Sequence, residues 1–118
     1  MARVFGMHEV QLPAGMTPEE YEEQFGKELA TLPDHPGWKS YLLKGDRGDR
    51  AGQYLLLFEI ESVEARDQIF PRPDEMSEEF HRFREQHPES TALWDKYAGG
   101  LVEPHSTTDY VVIGGPSS

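Results

Sequence analysis

The chain contains no cysteine. That excludes disulfides, thiolate metal sites and a cysteine nucleophile, so a chain of 118 residues must rest on an ordinary apolar core. Long apolar runs are lacking too. The longest, Tyr54 to Phe58, is strand-sized, and the opening Met1-Ala2-Arg3-Val4-Phe5-Gly6 has no signal-peptide stretch. A cytoplasmic protein without a membrane segment is expected. Positive charge is scarce, with 11 Lys and Arg against 22 Asp and Glu and a net charge of −11. Phosphate binding needs a concentrated basic face, so neither nucleic acid nor an anionic membrane is expected as a partner. The acidic residues gather at predicted helix starts, where they serve solubility and suit the helix dipole. Familiar catalytic signatures are missing as well: no glycine-rich phosphate loop, GxSxG elbow, HExxH pair or EF-hand loop occurs. His81 and His87 are six residues apart, on different sides of a helix, and no metal site is expected.

What the sequence does hold is a clear succession of elements. Residues 3–12 alternate as a strand, with Val4, His8, Val10 and Leu12 on one face. Thr17-Pro18-Glu19-Glu20 starts a helix through an N-cap, a proline at the first helical position and a capping box. Tyr21, Phe25 and Leu29 then form an apolar stripe. Trp38 to Lys44 and Gln53 to Glu61 read as strands joined by the polar hairpin loop 45–52, with Asp46-Arg47-Gly48-Asp49-Arg50 at its tip. Ser62 caps a helix over Val63 to Phe70, which Pro71-Arg72-Pro73 interrupts. A further helix is predicted from about Asp74 to Gln86 with Met76, Phe80 and Phe83 inward. Ser90 is the expected cap of a last helix carrying Leu93, Trp94 and Tyr97 and ending at Gly99-Gly100. Thr108 to Ile113 is the final strand, so residues 1–113 form one domain and 114–118 a disordered tail.

The order β-α-β-β-α-β, with the second helical region in pieces, is the ferredoxin-like α+β arrangement around a four-stranded antiparallel sheet. Helices cover one face of such a sheet. The third strand is apolar on both faces, so its other face also needs cover. A second copy of the chain, giving a homodimer, is the economical remedy.

Several stretches together resemble the dimeric α+β-barrel superfamily, and within it the antibiotic-biosynthesis-monooxygenase-like and heme-degrading-monooxygenase-like domains. They are Val10-Gln11-Leu12-Pro13-Ala14-Gly15, the helix Thr17 to Leu32, Pro36-Gly37-Trp38, Gln53-Tyr54-Leu55-Leu56 and Glu59-Ile60-Glu61-Ser62. The resemblance covers residues 3–70 and implies a pocket on the sheet face enclosed by the barrel. It also implies a small-molecule oxygenase that needs no cofactor. Two departures stand out. Ile60, Ile69 and Phe70 occupy the region where the family often has tryptophan, which places heme behind the cofactor-free reading, and the segment 71–107 is longer than usual.

His8 is the candidate acid–base residue, because an imidazole in a half-apolar cavity suits proton transfer near neutral pH. A buried histidine satisfied by a neighbouring strand is the plainer account of it. Trp38, Tyr54, Phe58 and Tyr110 are candidate ligand-binding residues for a small aromatic or polycyclic molecule, or else core packing; alternation alone leaves open whether they lie in the barrel or under the helices. His81, between Phe80 and Phe83, is the candidate axial ligand if heme binds, or else a solvent-facing helix residue. A non-catalytic dimeric barrel that binds a metabolite or another protein is the alternative to an enzyme.

Overall fold

Strand β1 (Val4–Val10) holds the centre of a four-stranded antiparallel sheet ordered β2-β3-β1-β4. Its neighbours are β3 (Tyr54–Ile60) and β4 (Thr107–Val111), and β2 (Trp38–Lys44) lies outside β3. Among the described residues four helices complete the α+β arrangement: α1 (Pro18–Thr31), α2 (Val63–Ile69), α3 (Glu78–Gln86) and α4 (Pro88–Ala98). The computed structural model describes residues 2–33, 35–72, 75–98 and 107–116. Among these no helix is long and apolar enough to cross a membrane.

The start of α1 is as expected. The Glu20 N–H donates to Thr17 Oγ1 at 3.2 Å, and the Thr17 N–H donates to Glu20 Oε1 at 3.3 Å. Ser62 caps α2 in the same way, its Oγ accepting from the Ala65 N–H at 3.0 Å. Other boundaries differ from the sequence expectation. Helix α3 begins at Glu78 because Ser77 Oγ accepts from the Phe80 N–H at 3.1 Å; the expected start, Asp74, lies outside the described residues. Helix α4 begins at Pro88, so Ser90 sits inside it instead of capping it. Proline suits a first helical position, where its missing N–H costs nothing. The first strand ends at Val10, leaving Leu12 beyond it, and the last ends at Val111, leaving Ile113 99% exposed. The predicted stop at Gly99-Gly100 and tail residues 117 and 118 lie outside the described residues.

One face of the sheet carries the core. Tyr21 and Phe25 of α1 and Leu93, Trp94 and Tyr97 of α4 pack on Val10, Tyr54 and Leu56. Phe25 stacks on Tyr97 with centroids 4.7 Å apart, and Tyr21 meets Tyr54 edge-on at 4.9 Å. The Tyr21 hydroxyl donates to the Tyr97 carbonyl at 3.0 Å, and burial, then Tyr54, pushes its pKa up to about 12. It is α4, and not the segment with Met76, Phe80 and Phe83 inward, that shares this layer with α1. Helix α3 sits at the flank, with Phe80 against Phe70 at 5.5 Å and Phe83 against His35 at 5.2 Å.

The opposite face presents Phe5, Met7, Leu55 and Leu57, half-buried, with Tyr41, Leu43 and Tyr110 exposed. Cross-strand register aligns Tyr41, Leu57 and Met7 in one row. Of the two apolar faces of the third strand, it is therefore Leu55 and Leu57 that turn away from the helices, and Tyr54, Leu56 and Phe58 that turn toward them.

Candidate functional site

His8 pairs across the sheet with Leu56 and Thr107 and is 3% exposed. It lies on the helix-covered face with Val10 and Leu56. Alternation ties His8 to Val4 and Val10, which are buried under the helices, whereas the resemblance implies a pocket on the sheet face enclosed by a barrel.

Around it the helix-side floor is part aromatic and part polar. Gly6 and Phe58 are directly opposed, and Phe58 lies between Trp38, at 6.2 Å, and Trp94 of α4, at 5.8 Å. Asp109 of β4 leans over Gly6, where a Cβ would come within 3.0 Å of Asp109 Oδ1. Arg66 of α2 holds that carboxylate at 3.0 Å while also donating to Asp67 at 3.1 Å. His8 and Asp109 are therefore diagonal neighbours on one face, about 7–8 Å apart at the backbone. The cover is incomplete: Trp38, Ser40, Leu42 and Phe58 stay half-buried although they face the helices. The helix-side face is thus fully covered at His8 and only partly covered toward β2.

The other expected residues divide. Tyr54 shares the floor, but its hydroxyl donates to Glu22 Oε2 at 2.6 Å, and Lys44 Nζ reaches the same oxygen at 2.8 Å. Lys44 and then Tyr54 hold the Glu22 carboxyl below its ordinary range, whereas burial and then Glu22 raise the Tyr54 phenol. Tyr54 thus fastens α1 to the sheet. Tyr110 pairs with Phe5 and is 54% exposed on the opposite face, apart from Trp38 and Phe58. His81 is exposed on α3, while Phe80 and Phe83 point inward, so the imidazole and the two rings share no surface. Among the described residues no group of three or more His, Asp or Glu is placed to hold a metal.

A groove of about 400 Å³ opens elsewhere, between α1 and α4, lined by Glu28, Leu32, Glu89, Leu93, Lys96 and Tyr97 among others. None of the expected site residues lines it. Tyr97 is part of that lining, and burial raises the pKa of its phenol, with Glu28 adding to the rise and Lys96 opposing it.

Three floor residues escape a reading of the sequence, Gly6, Asp109 and Arg66, and Trp94 is legible there only as an apolar residue of the last helix. Gly6 alone carried a signal, since glycine inside a strand marks a close approach. Comparisons with protein-family models, with curated proteins and with solved structures return no match for the chain.

Proposed function

We propose that the chain is a ferredoxin-like protein that pairs as a dimeric α+β barrel and takes a small aromatic or polycyclic molecule on the helix-side floor. There it acts as a cofactor-independent oxygenase. The observation that carries this reading is a buried imidazole on the same sheet face as the half-covered aromatic residues Trp38 and Phe58. His8 takes a proton from an acidic ring methylene, and the resulting carbanion gives its electrons to O2 as a carbon–oxygen bond forms. Loss of water leaves a ring ketone, so that CH2 and O2 become C=O and H2O, with His8 returning its proton to the departing oxygen. Phe58, Trp38 and Trp94 supply the flat apolar walls that a fused-ring substrate needs.

The open face is the proposed contact between two copies. Its row Tyr41, Leu57 and Met7 is apolar, and Lys39, Glu59 and Glu9 beside it carry both signs, which suits self-pairing. Because the helix-side face lies on the other side of the sheet, the proposed site is complete within one chain. A non-catalytic metabolite-binding dimer would use the same face without turnover. Nothing in the placement of His81 favours heme.

Oxygen uptake with 1,8-dihydroxyanthrone as the probe substrate tests the enzymatic reading. The His8→Gln variant is expected to lose about 100-fold or more in rate, the usual contribution of a general base. Its unfolding transition should stay cooperative. An unchanged rate removes His8 from the chemistry, and retained binding without any uptake by the wild type leaves the metabolite-binding alternative.

A further inference from the structure

Arg84 of α3 is a half-buried cation that makes no ion pair among the described residues, in a chain where Asp and Glu outnumber Lys and Arg 22 to 11. Its guanidinium donates instead to two neutral groups: Nε to Thr91 Oγ1 of α4 at 3.3 Å, and Nη1 to Met76 Sδ at 3.5 Å. A thioether is a weak acceptor, so the second contact leaves a charged donor poorly matched. The fold nevertheless holds Met76 against it. The Glu75 N–H donates to the Arg72 carbonyl at 3.1 Å and the Ser77 N–H to the Ile69 carbonyl at 2.8 Å. Ser77 Oγ in turn caps α3, so the backbone on both sides of Met76 is tied down.

The chemistry of sulfur gives that contact a use. With no cysteine in the chain, its four methionines are its only sulfur groups. Hydrogen peroxide converts a thioether to a sulfoxide. A sulfur lone pair attacks one peroxide oxygen, the O–O bond breaks, and the second oxygen takes up both hydrogens and leaves as water. Sulfur loses two electrons and peroxide gains them, so that R–S–CH3 and H2O2 become R–S(=O)–CH3 and H2O. Sulfur has a second lone pair for this attack besides the one facing Nη1. The guanidinium has five N–H donors, of which the bonds to Thr91 and Met76 use two. Others on the same planar fork stabilise the negative charge that gathers on the departing oxygen. The product is also the better partner for Arg84, because a sulfoxide oxygen on a guanidinium makes a charge-assisted bond, roughly twice as strong as a neutral one.

We propose that Met76 is a peroxide-oxidation site, promoted by Arg84 and closed as a sulfoxide–guanidinium bond. It stands apart from the ligand reading of the sheet and needs only hydrogen peroxide as oxidant. Because Arg84 also holds Thr91, oxidation fastens the α2–α3 link and the first turn of α4 more firmly to one guanidinium. Return to the thioether takes a thiol-dependent sulfoxide reductase. Exposure alone does not single Met76 out, since Met7 and Met16 are half-buried too.

The test is peptide mapping by mass spectrometry of the full chain after timed exposure to hydrogen peroxide, with Met16 as internal reference. In the folded wild type Met76 is expected to oxidise about tenfold faster than Met16, the rate equivalent of one charge-assisted hydrogen bond in the transition state. Arg84→Gln should bring the two rates together. Unfolding the wild type in urea should do the same, because it takes the guanidinium away from the sulfur. In the oxidised chain the Arg84 side-chain N–H signals should move in NMR spectra, and a methionine sulfoxide reductase should return them. Equal rates in the folded wild type, or a preference that survives in Arg84→Gln, overturn the proposal. So does oxidation of Met76 that leaves the Arg84 signals unmoved. Where Arg84→Gln fails to fold, the wild type decides alone: a preference present in both its folded and its urea-unfolded form overturns the role of Arg84.

Discussion

Replacing Leu57 with glutamate is expected to turn the proposed dimer into a monomer of 13.5 kDa at micromolar concentration. Leu57 stands in the middle strand pair of the open face, aligned with Met7 on one side and Tyr41 on the other. Burying a leucine against a partner stabilises by about 1.5–3 kcal/mol, and a twofold interface counts each change twice. A carboxylate at this position also brings an unpaired charge into a dry contact. The dissociation constant should rise at least about 1000-fold, near 4 kcal/mol. Long-range repulsion between acidic chains does not confuse the measurement, because the Debye length is about 8 Å at physiological salt. Ile113→Glu is the matched control. Ile113 is 99% exposed beyond β4, and its replacement adds the same charge without touching the row. Light scattering that gives a dimer for Leu57→Glu, or a monomer for the wild type, removes the sheet face as the interface.

Among the described glycines, Gly45 is the one where alanine is expected to be most destabilising. The Gly45 N–H donates to the Gln53 carbonyl at 2.8 Å, and its carbonyl accepts from the Gly52 N–H at 2.8 Å. These bonds close the hairpin between β2 and β3. A Cβ on Gly45 would run into the Arg50 carbonyl, which is backbone and has no flexible end to swing away. Relieving the clash means opening the hairpin. The expected loss is about 3 kcal/mol or more, seen as a fall in unfolding midpoint of about 12 °C or more at fixed protein concentration. Gly26→Ala sets the contrast. Gly26 lies in α1 with open space where the Cβ would go, and alanine there should stabilise by about 0.5–1 kcal/mol. Urea unfolding of the two variants side by side separates a steric demand from ordinary helix propensity. Equal stability of Gly45→Ala and wild type would contradict the described closure.

What could be read from the sequence follows how local each signal is. Thr17, Pro18 and Glu20 act within one turn of helix, so the start of α1 was legible in full. The start of α4 was not, because Ser90 is a good cap by type while Pro88, two residues earlier, takes the first helical position. Alternation grouped His8 with Val4 and Val10, yet a strand cannot report which of its faces the helices will choose. That choice is made by α1 and α4, whose aromatic residues meet Val10, Tyr54 and Leu56. Tyr110 shows the same limit, since only its pairing with Phe5 places it on the open face. The Arg66–Asp109 pair joins residues 43 apart and had no local trace. Nor does any local pattern reveal that the Trp38 N–H is left without an acceptor.

The leucines of β2 and β3 give the most direct test of where a ligand binds. Leu42 and Leu56 are aligned on the helix side, whereas Leu43, Leu55 and Leu57 face the other way from the same two strands. Methyl-resolved NMR during titration with 9-anthrone uses the ring current of the probe as a local marker. The Leu42 and Leu56 methyl signals are predicted to shift and saturate together, with those of Leu43, Leu55 and Leu57 unmoved. Shifts confined to Leu43, Leu55 and Leu57 would put the probe on the open face and contradict the account.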